Sequence, residues 1–458
     1  MTTSAATSNN SNAMTWHAWR ALLLLMATCF LAHFNRVSIA VAYNMRIESD
    51  YGISKTNMGW VYAAFLWIYT LFMLPGGWLI DKKGPLFALL VVGFGSAIFA
   101  FLTGCIGLTV ATGAVAFPAL LLIRSLMGMF SAPLHPAAAR AVSFGVPTAR
   151  RTLANGLVTA SAVFGIAATY ILFPSLLEVI SWPYIFALAA LLTIVVATLW
   201  ARYAGNTMRQ TTPKSVAVEQ MEAVIEVGNE SATDFLATLK ANKNLVLLTI
   251  SYGAIGYFQY LFFYWIGNYF KDELQLTLIE SQYYTCIPIV AMGIGMFVGG
   301  WTSDRLLSLL GWRVARAYFA VAVMTLSATL LYVGVRCPET YMKITLLSLS
   351  LGILGLLEGS FWVTAVEIGG NRGGFAAAIM NTSGNLFGAL QNIVTPWITD
   401  DLGYDWTVGI TVGSIVCLTG GILWIWIDEP PGQPLTTTSA SKISPTANPL
   451  AVATTANL

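Results

Sequence analysis

The sequence predicts an all-α membrane protein whose twelve transmembrane helices form two pseudo-symmetric six-helix bundles. Of its 458 residues, 57% are hydrophobic and 10% are charged, whereas soluble domains carry about 25% charged residues. Twelve stretches reach the length of about 20 mostly apolar residues that a helix needs to cross a bilayer. A polar loop sequence also occurs twice, about half the chain apart, which indicates that the two halves are related.

The predicted spans lie between charged residues and turn residues. Residues 84–123 are uncharged over a length too great for one span, so this run is divided near residues 107–113. The twelve spans are 19–41, 57–79, 86–107, 116–138, 153–176, 182–201, 245–268, 283–303, 314–335, 343–366, 374–397 and 406–427. The polar residues 202–244 predict a linker between an N-terminal bundle at 19–201 and a C-terminal bundle at 245–427. The polar ends at 1–18 and 428–458 predict disordered tails.

Lysine and arginine are unevenly distributed between the two sides of the predicted bundles. With the N-terminus inside, 16 of the 23 basic residues fall on the cytoplasmic side and 5 fall on the outer side. Cytoplasmic loops are enriched in these residues. The sequence therefore predicts a multi-pass protein of the cell membrane, with both tails and the linker in the cytoplasm.

The repeated loop has the same order of residue types in both halves. Residues 76–85 read GGWLIDKKGP and residues 299–305 read GGWTSDR. Each copy places an acid directly before a base at the cytoplasmic end of a predicted span, which predicts contacts that favour one arrangement of the two bundles. The acid–base pairs are Asp81 with Lys82 and Asp304 with Arg305.

Two arginines lie well inside predicted spans, away from the cytoplasmic and outer ends: Arg36 in the first and Arg124 in the fourth. A base near the bilayer centre costs at least about 2.5–3.5 kcal/mol on insertion scales, so such a residue faces a polar cavity or a counter-ion. One interpretation is that a protein carboxylate neutralises each arginine, but the first six spans contain no interior Asp or Glu. We therefore expect the two guanidiniums to bind one external anion, and either a carboxylate or a phosphate fits.

The loop at residues 76–85 resembles the loop between helices 2 and 3 of major facilitator superfamily transporters, and its second copy lies where that family repeats it. Much of the N-terminal half resembles the anion:cation symporter branch, which includes sugar-acid transporters. This resemblance rests on residues 34–36, 58–60, 64–69, 75–78, 124–136, 140–156, 264–265 and 381–386.

The resemblance implies roles for particular residues of this chain. In that branch, an arginine of helix 1, an arginine of helix 4 and a tyrosine of helix 2 contact the substrate carboxylate, and an asparagine of helix 11 contacts sugar hydroxyls. The matching residues are Arg36, Arg124 and Tyr69, with Asn381 or Asn385 as the asparagine. In the seventh span, Tyr260 and Tyr264 share one helical face, where they either line a cavity or pack against neighbours.

The residues that carry a proton in members of this branch are replaced. Asn35 stands where proton-coupled members have an aspartate, and Ser131 stands where they have a glutamate. Glu358, inside the tenth span, is a candidate to couple transport to protons or sodium; the alternative is that it bonds neighbouring polar groups. His33 and His135 have no second ligand at metal spacing, so we expect each to have a hydrogen-bonded structural role.

These observations predict a secondary active transporter that moves a small organic anion, such as a sugar acid, by alternating access. The alternatives are an organophosphate or phosphate exchanger, a facilitator without proton coupling and, with less support, a transporter-like sensor. An enzyme is not expected, because no nucleophile–base pair or metal cluster lies at a membrane interface. We expect no cofactor, no metal and no nucleic-acid partner, and a monomer in the lipid bilayer.

Overall fold

A computed structural model describes residues 14–110, 112–146, 151–211, 242–369 and 373–429, and the regular structure of these residues is helical throughout. Most of both predicted tails, and the linker from residue 212 to residue 241, lie outside the described residues. The helices named below belong to one unit that ends at Asp428.

The first half of the chain forms helices whose apolar side chains face neighbouring helices and lipid. Hydroxyl side chains begin two of them, since Thr15 accepts a hydrogen bond from the backbone of α1 and Ser54 from that of α2. A π turn at Tyr43–Ile47 and a short helix at Glu48–Tyr51 continue α1. The helices are α1 (Trp16–Ala42), α2 (Lys55–Leu71), α3 (Met73–Thr109), α4 (Gly113–Ser131), α5 (Leu134–Gly145), α6 (Arg151–Leu177) and α7 (Trp182–Thr211).

The second half repeats this pattern, with breaks that divide several spans. Trp265 separates α8 from α9, and residues 356–357 separate α12 from α13. A π turn at Arg313–Tyr318 precedes α11. The helices are α8 (Lys243–Tyr264), α9 (Ile266–Asp272), α10 (Leu278–Leu310), α11 (Phe319–Arg336), α12 (Thr340–Gly355), α13 (Glu358–Gly369), α14 (Gly373–Pro396) and α15 (Trp406–Ile422).

Within the described residues, 10 helical stretches are long and apolar enough to cross a membrane, and they match ten of the predicted spans. The other two predicted spans, 57–79 and 374–397, are also helical: the first is α2 with the start of α3, and the second is α14. α2 has only 17 residues, and α14 carries Asn381, Asn385, Gln391 and Asn392, which make it more polar than a lipid-facing helix.

The helices pack into two groups that correspond to the two halves of the chain. In the first half, α1 packs on α6 and α7, α2 on α4, and α3 on α7. In the second half, α8 packs on α14 and α15, and α12 packs on α10 and α11. The halves meet mainly where α2 packs on α14 and where α6 packs on α10. The polar helix α14 therefore lies at the contact between the halves.

The two copies of the repeated loop turn the backbone in the same way. Gly84 has a φ of 84° and divides α3 just before Pro85, and Gly311 has a φ of 81° and ends α10. A side chain at a positive φ of this kind strains the backbone by about 1–3 kcal/mol. Glycine is therefore needed at the same point of each half.

Replacing Gly84 or Gly311 by alanine is expected to lower the free energy of unfolding by about 1–3 kcal/mol, because alanine is strained at this φ. The matched controls are Gly77→Ala and Gly300→Ala, at equivalent positions of the two loops, where an added Cβ meets no atom within 4 Å. Thermal melting in detergent should show a lower midpoint for the first two variants only. Equal midpoints for all four variants would contradict this account.

Candidate functional site

Arg36 lies on α1 at the contact between the halves, where aromatic rings surround its half-buried guanidinium. The guanidinium carbon lies 4.9 Å from the ring centre of Phe65, 5.8 Å from that of Tyr69 and 5.3 Å from that of Tyr260. Phe65 and Tyr69 belong to α2, whereas Tyr260 belongs to α8 of the other half. Such rings stabilise a cation by roughly 0.5–2 kcal/mol each, yet they leave most of its N–H groups available to an anion.

A chain of hydrogen bonds connects Arg36 to the second half. Nη2 of Arg36 donates to the hydroxyl of Tyr260. That hydroxyl donates to Oδ1 of Asn385 on α14 at 3.1 Å, and Nδ2 of Asn385 donates to the carbonyl of Asn381 at 3.1 Å. The structure thus brings four predicted site residues together, and the partners of the guanidinium among the described residues are neutral.

The aromatic face of α8 positions the Tyr260 hydroxyl. Tyr264 stacks on Tyr260, with ring centres 6.0 Å apart and planes 6° apart, and its ring lies 4.6 Å from that of Tyr62 on α2. Gly388 on α14 leaves the space that the Tyr260 ring occupies, because a Cβ at this position would lie 2.2 Å from Cδ2 of that ring. The sequence left open whether Tyr260 and Tyr264 line a cavity or pack against neighbours. Their described contacts are those of rings packed beside Arg36.

Arg124 differs from Arg36 in what its guanidinium contacts. It is 1% exposed. Nη1 donates to the carbonyl of Asn35 at 3.1 Å and lies 3.1 Å from the sulfur of Met127, and Nη2 donates to the carbonyl of Arg36. The two arginines are therefore adjacent, as the sequence predicts, but Arg124 is bonded to the backbone of α1.

Neither Arg36 nor Arg124 has an acidic partner among the described side chains. The ion pairs of these side chains involve Lys55, Lys271, Arg313 and Arg316. At the two positions where the resemblance leads us to expect acids, Asn35 donates to the Thr193 hydroxyl at 2.9 Å and the hydroxyl of Ser131 lies 3.4 Å from that of Ser96. Two cations held close together without a counter-charge favour the binding of an anion.

Glu358 begins α13 at the break in the tenth predicted span. Its carboxylate accepts hydrogen bonds from the Tyr252 hydroxyl at 2.7 Å, from Nε1 of Trp362 at 3.0 Å and from Nε2 of Gln259 at 3.3 Å. All three donors are neutral. These contacts fit the interpretation that Glu358 bonds neighbouring polar groups, and its coupling role stays a prediction.

Ion pairs join the two halves at one end of the bundles, which we name the closed end. Nζ of Lys55, at the start of α2, lies 2.8 Å from Asp272 and 3.7 Å from Asp400. Nζ of Lys271 lies 2.7 Å from Glu48 in the first half. These five side chains are mostly shielded from solvent, so their attraction is screened less than that of fully exposed pairs.

The opposite end of the bundles carries the repeated loops. Among the described residues, hydrogen bonds and ion pairs that join the two halves lie near Arg36 or toward the closed end. Lys82 and Arg305 are exposed at the opposite end. The side chains of Asp81 and Asp304 lie outside the described part of the structure, so the predicted loop contacts stay a prediction.

A layer of buried amides toward the closed end was missed by the sequence interpretation. Asn44, Asn268, Gln282 and Asn392 are at most 4% exposed, and at least one amide atom of each lacks a hydrogen-bond partner among the described residues. A buried unpaired amide costs about 1–3 kcal/mol. The sequence does show several amide side chains within apolar spans, and this was the available signal. Only the packing of the helices shows that these amides lie at one depth.

Residues 25–392 match the family described as Major Facilitator Superfamily. The chain belongs to this superfamily. The D-galactonate transporter of Escherichia coli O6:H1 is 25% identical over 88% of this chain and 94% of its own length. The probable sulfoacetate transporter SauU of Cupriavidus necator is 26% identical over 82% and 86%, and the hexuronate transporter of Bacillus subtilis is 25% identical over 88% and 91%.

Solved structures of the superfamily share this fold. The D-xylose-proton symporter has a TM-score of 0.66 at 15% identity and covers 90% of this chain and 99% of its own. The inward-open xylose transporter XylE from E. coli has a TM-score of 0.67 at 13% identity over 91% and 98%. The predicted fold class is confirmed, and so is the prediction of a multi-pass superfamily transporter that is not an enzyme.

Replacing Lys55 by methionine is expected to loosen the closed end, because the variant loses the cation that attracts Asp272 and Asp400. A cysteine at position 268, in a background without native cysteines, should then be alkylated about fivefold faster in detergent, as the loss of about 1 kcal/mol implies. Arg46→Met is the matched control, since Arg46 is exposed at the same end and belongs to none of these ion pairs. An unchanged alkylation rate for Lys55→Met would refute this role.

Proposed function

We propose that this chain is a secondary active transporter that moves a small organic anion, a carboxylate such as a sugar acid, by alternating access. The observation that carries the proposal is the setting of Arg36. This guanidinium is half-buried between the halves, bonded to a neutral tyrosine and without an acidic partner among the described side chains. A permanent cation in such a place is stabilised when an anion binds to it.

A carboxylate with hydroxyl groups suits the residues around Arg36. The guanidinium presents a planar fork that binds a carboxylate through two parallel hydrogen bonds. Tyr69 lies beside it, and Tyr260, Asn385 and Asn381 offer hydroxyl and amide groups from the other half. The names of the relatives, which include transporters of D-galactonate and hexuronate, support an anion of this class.

Arg124 acts on the anion through its charge and through the backbone of α1. One N–H group of Nη1 donates to the carbonyl of Asn35, and one of Nη2 donates to that of Arg36. It therefore fixes the segment from which the Arg36 side chain projects, and it adds a second positive charge close to the anion. Arg36 is the direct ligand in this conformation.

Alternating access follows from the way the anion competes with a contact between the halves. An anion that binds Nη2 of Arg36 displaces the hydrogen bond to Tyr260. The bundles at 19–201 and 245–427 then rock between two sets of contacts. The closed-end ion pairs hold one state, and the loop pairs around Asp81 and Asp304 hold the other.

The distribution of lysine and arginine orients the transporter in the cell membrane. Both termini, the linker and the repeated loops lie in the cytoplasm, because the basic residues are concentrated there. The closed end then faces outward. The chain works as a monomer, and a proton or a sodium ion drives transport.

Replacing Arg36 by glutamine should weaken the binding of a sugar acid about 10–100-fold, because a charge-assisted hydrogen bond contributes about 1.5–3 kcal/mol. The melting midpoint without ligand should change little, since the side chain is half-buried. Arg124→Gln should lower that midpoint as well as the affinity, because it removes two buried hydrogen bonds between α4 and the backbone of α1. For both variants, titration calorimetry measures the affinity and thermal melting measures the midpoint. Unchanged affinity in Arg36→Gln would remove the basis of the proposed function.

A panel of anions separates the sugar-acid transporter from a phosphate exchanger. We expect D-galactonate, a hexuronate or another sugar acid to raise the melting midpoint of the unaltered protein more than phosphate or a sugar phosphate does. A larger shift with the phosphates would favour the exchanger. Counterflow into liposomes then tests whether the ligand with the largest shift is carried across the membrane, which a sensor would not do.

Gly388→Ala tests whether the Tyr260 ring takes part in binding. The added Cβ displaces this ring, so the affinity for the sugar acid should fall about tenfold, the equivalent of about 1.4 kcal/mol. Gly156→Ala is the matched control, because an added Cβ there meets no atom within 4 Å. Equal affinity in both variants would show that the position of Tyr260 is unimportant for binding.

A further inference from the structure

Two histidines that are distant in the sequence meet inside the first half. His33 lies on α1, and His135 lies on α5, just after the break at residues 132–133. Their ring centres are 5.2 Å apart and their planes are inclined by 62°. The sequence interpretation gave each a separate structural role, whereas the structure makes them a pair.

One ring of this pair has a free proton-accepting nitrogen. Nδ1 of His33 lies 2.9 Å from the carbonyl oxygen of Cys29. A carbonyl oxygen only accepts hydrogen bonds, so Nδ1 carries the hydrogen, and in the neutral ring Nε2 carries the lone pair. The contact with Cys29 therefore fixes the tautomer in which Nε2 can take up a proton.

The pair connects a buried position with a partly exposed one. His33 is buried, and His135 is partly exposed. His33 also lies three residues before Arg36 on α1, about one helical turn away. A proton that enters at His135 can therefore reach the turn of α1 that carries the anion-binding guanidinium.

The surroundings of the pair are cationic or neutral. Arg36 is the charged group that acts on both rings, and each ring acts on the other. Among the described side chains, the other ionisable groups on α1, on α5 and on the helices packed against them are His17, Arg20 and Cys29 on α1, Lys82, Lys83 and Cys105 on α3, Arg124 on α4, Arg140 on α5, Tyr170 on α6, Tyr184, Arg202 and Tyr203 on α7, and Lys243, Tyr252, Tyr257, Tyr260 and Tyr264 on α8. The described acids of this half, Glu48, Asp50 and Glu178, belong to the segments at the closed end.

We infer that the His33–His135 pair is the site at which this transporter binds its coupling proton, in place of the acids replaced by Asn35 and Ser131. The inference rests on the proposed function. A proton on the pair is repelled by Arg36, and an anion bound to Arg36 cancels this repulsion. Anion and proton therefore increase each other's affinity, and by linkage the two effects are equal.

The charge of the site predicts what drives transport. The empty site carries the single charge of Arg36 with neutral imidazoles. The loaded site carries Arg36, a protonated imidazole and a monoanion, so its net charge is the same. The charge of Arg124 is the same in the empty and in the loaded site. Uptake of a monocarboxylate should therefore follow a pH gradient and respond little to the membrane potential.

The test measures D-galactonate binding and uptake from pH 5.5 to 8 in the unaltered protein and in His33→Gln, His135→Gln and His17→Gln. In the unaltered protein, affinity should rise as the pH falls, with up to tenfold per pH unit for one linked proton. Either variant of the pair should bind with an affinity independent of pH and lose accumulation driven by a pH gradient, but keep counterflow at constant pH. His17→Gln is the matched control, because His17 is exposed near the start of α1.

The outcomes separate the inference from the proposed function. If both variants of the pair bind D-galactonate with an unaltered pH dependence, the inference is wrong and the anion transporter stands. If Glu358→Gln removes the pH dependence while the histidine variants keep it, the proton binds at Glu358 instead. If the unaltered protein binds no D-galactonate at any pH, the proposed function fails, and the inference fails with it.

Discussion

Two adjacent guanidiniums without an acidic partner among the described side chains are the constraint on which the rest of the site depends. Arg124 is directed at the backbone of α1, so its charge is fixed in place by carbonyls. Arg36 is held by aromatic rings and one neutral hydroxyl, which can be displaced. Arg124 is thus part of the framework, and Arg36 is available to a ligand. This division of roles explains why two arginines at similar depth differ so much in exposure.

Two effects oppose each other in this conformation: ion pairs attract the two halves at the closed end, and buried unpaired amides beneath them are unfavourable. Lys55 and Lys271 form ion pairs across the halves. Beneath these ion pairs, amides such as Asn44 and Asn268 are buried without partners among the described residues. A state in which water reaches the amides relieves that cost but separates the ion pairs. Opposing terms of this kind suit the alternating access that we propose, in which a shift between states requires only a few kcal/mol.

The duplicated architecture places this balance between matching elements. α2 and α14 form one contact between the halves, and α6 and α10 form the other. The glycines with positive φ, Gly84 and Gly311, turn the chain at equivalent points. Each half therefore keeps its own packing, and the polar side chains that we propose to bind a ligand or a proton lie on helices near the contact. The break before α5 brings His135 to α1 within the first half.

The sequence by itself determined the membrane fold, the spans, the repeated loop and the two arginines of the candidate site. These features depend on apolar length, on turn residues and on the cost of a charge in lipid, all of which act locally. Tertiary structure alone decided that Arg124 bonds the backbone, that His33 meets His135 and that Lys55 pairs with Asp272. Contacts of this kind join residues far apart in the chain, so they follow from the angles at which helices pack and from breaks within spans, and hydrophobic patterning specifies neither.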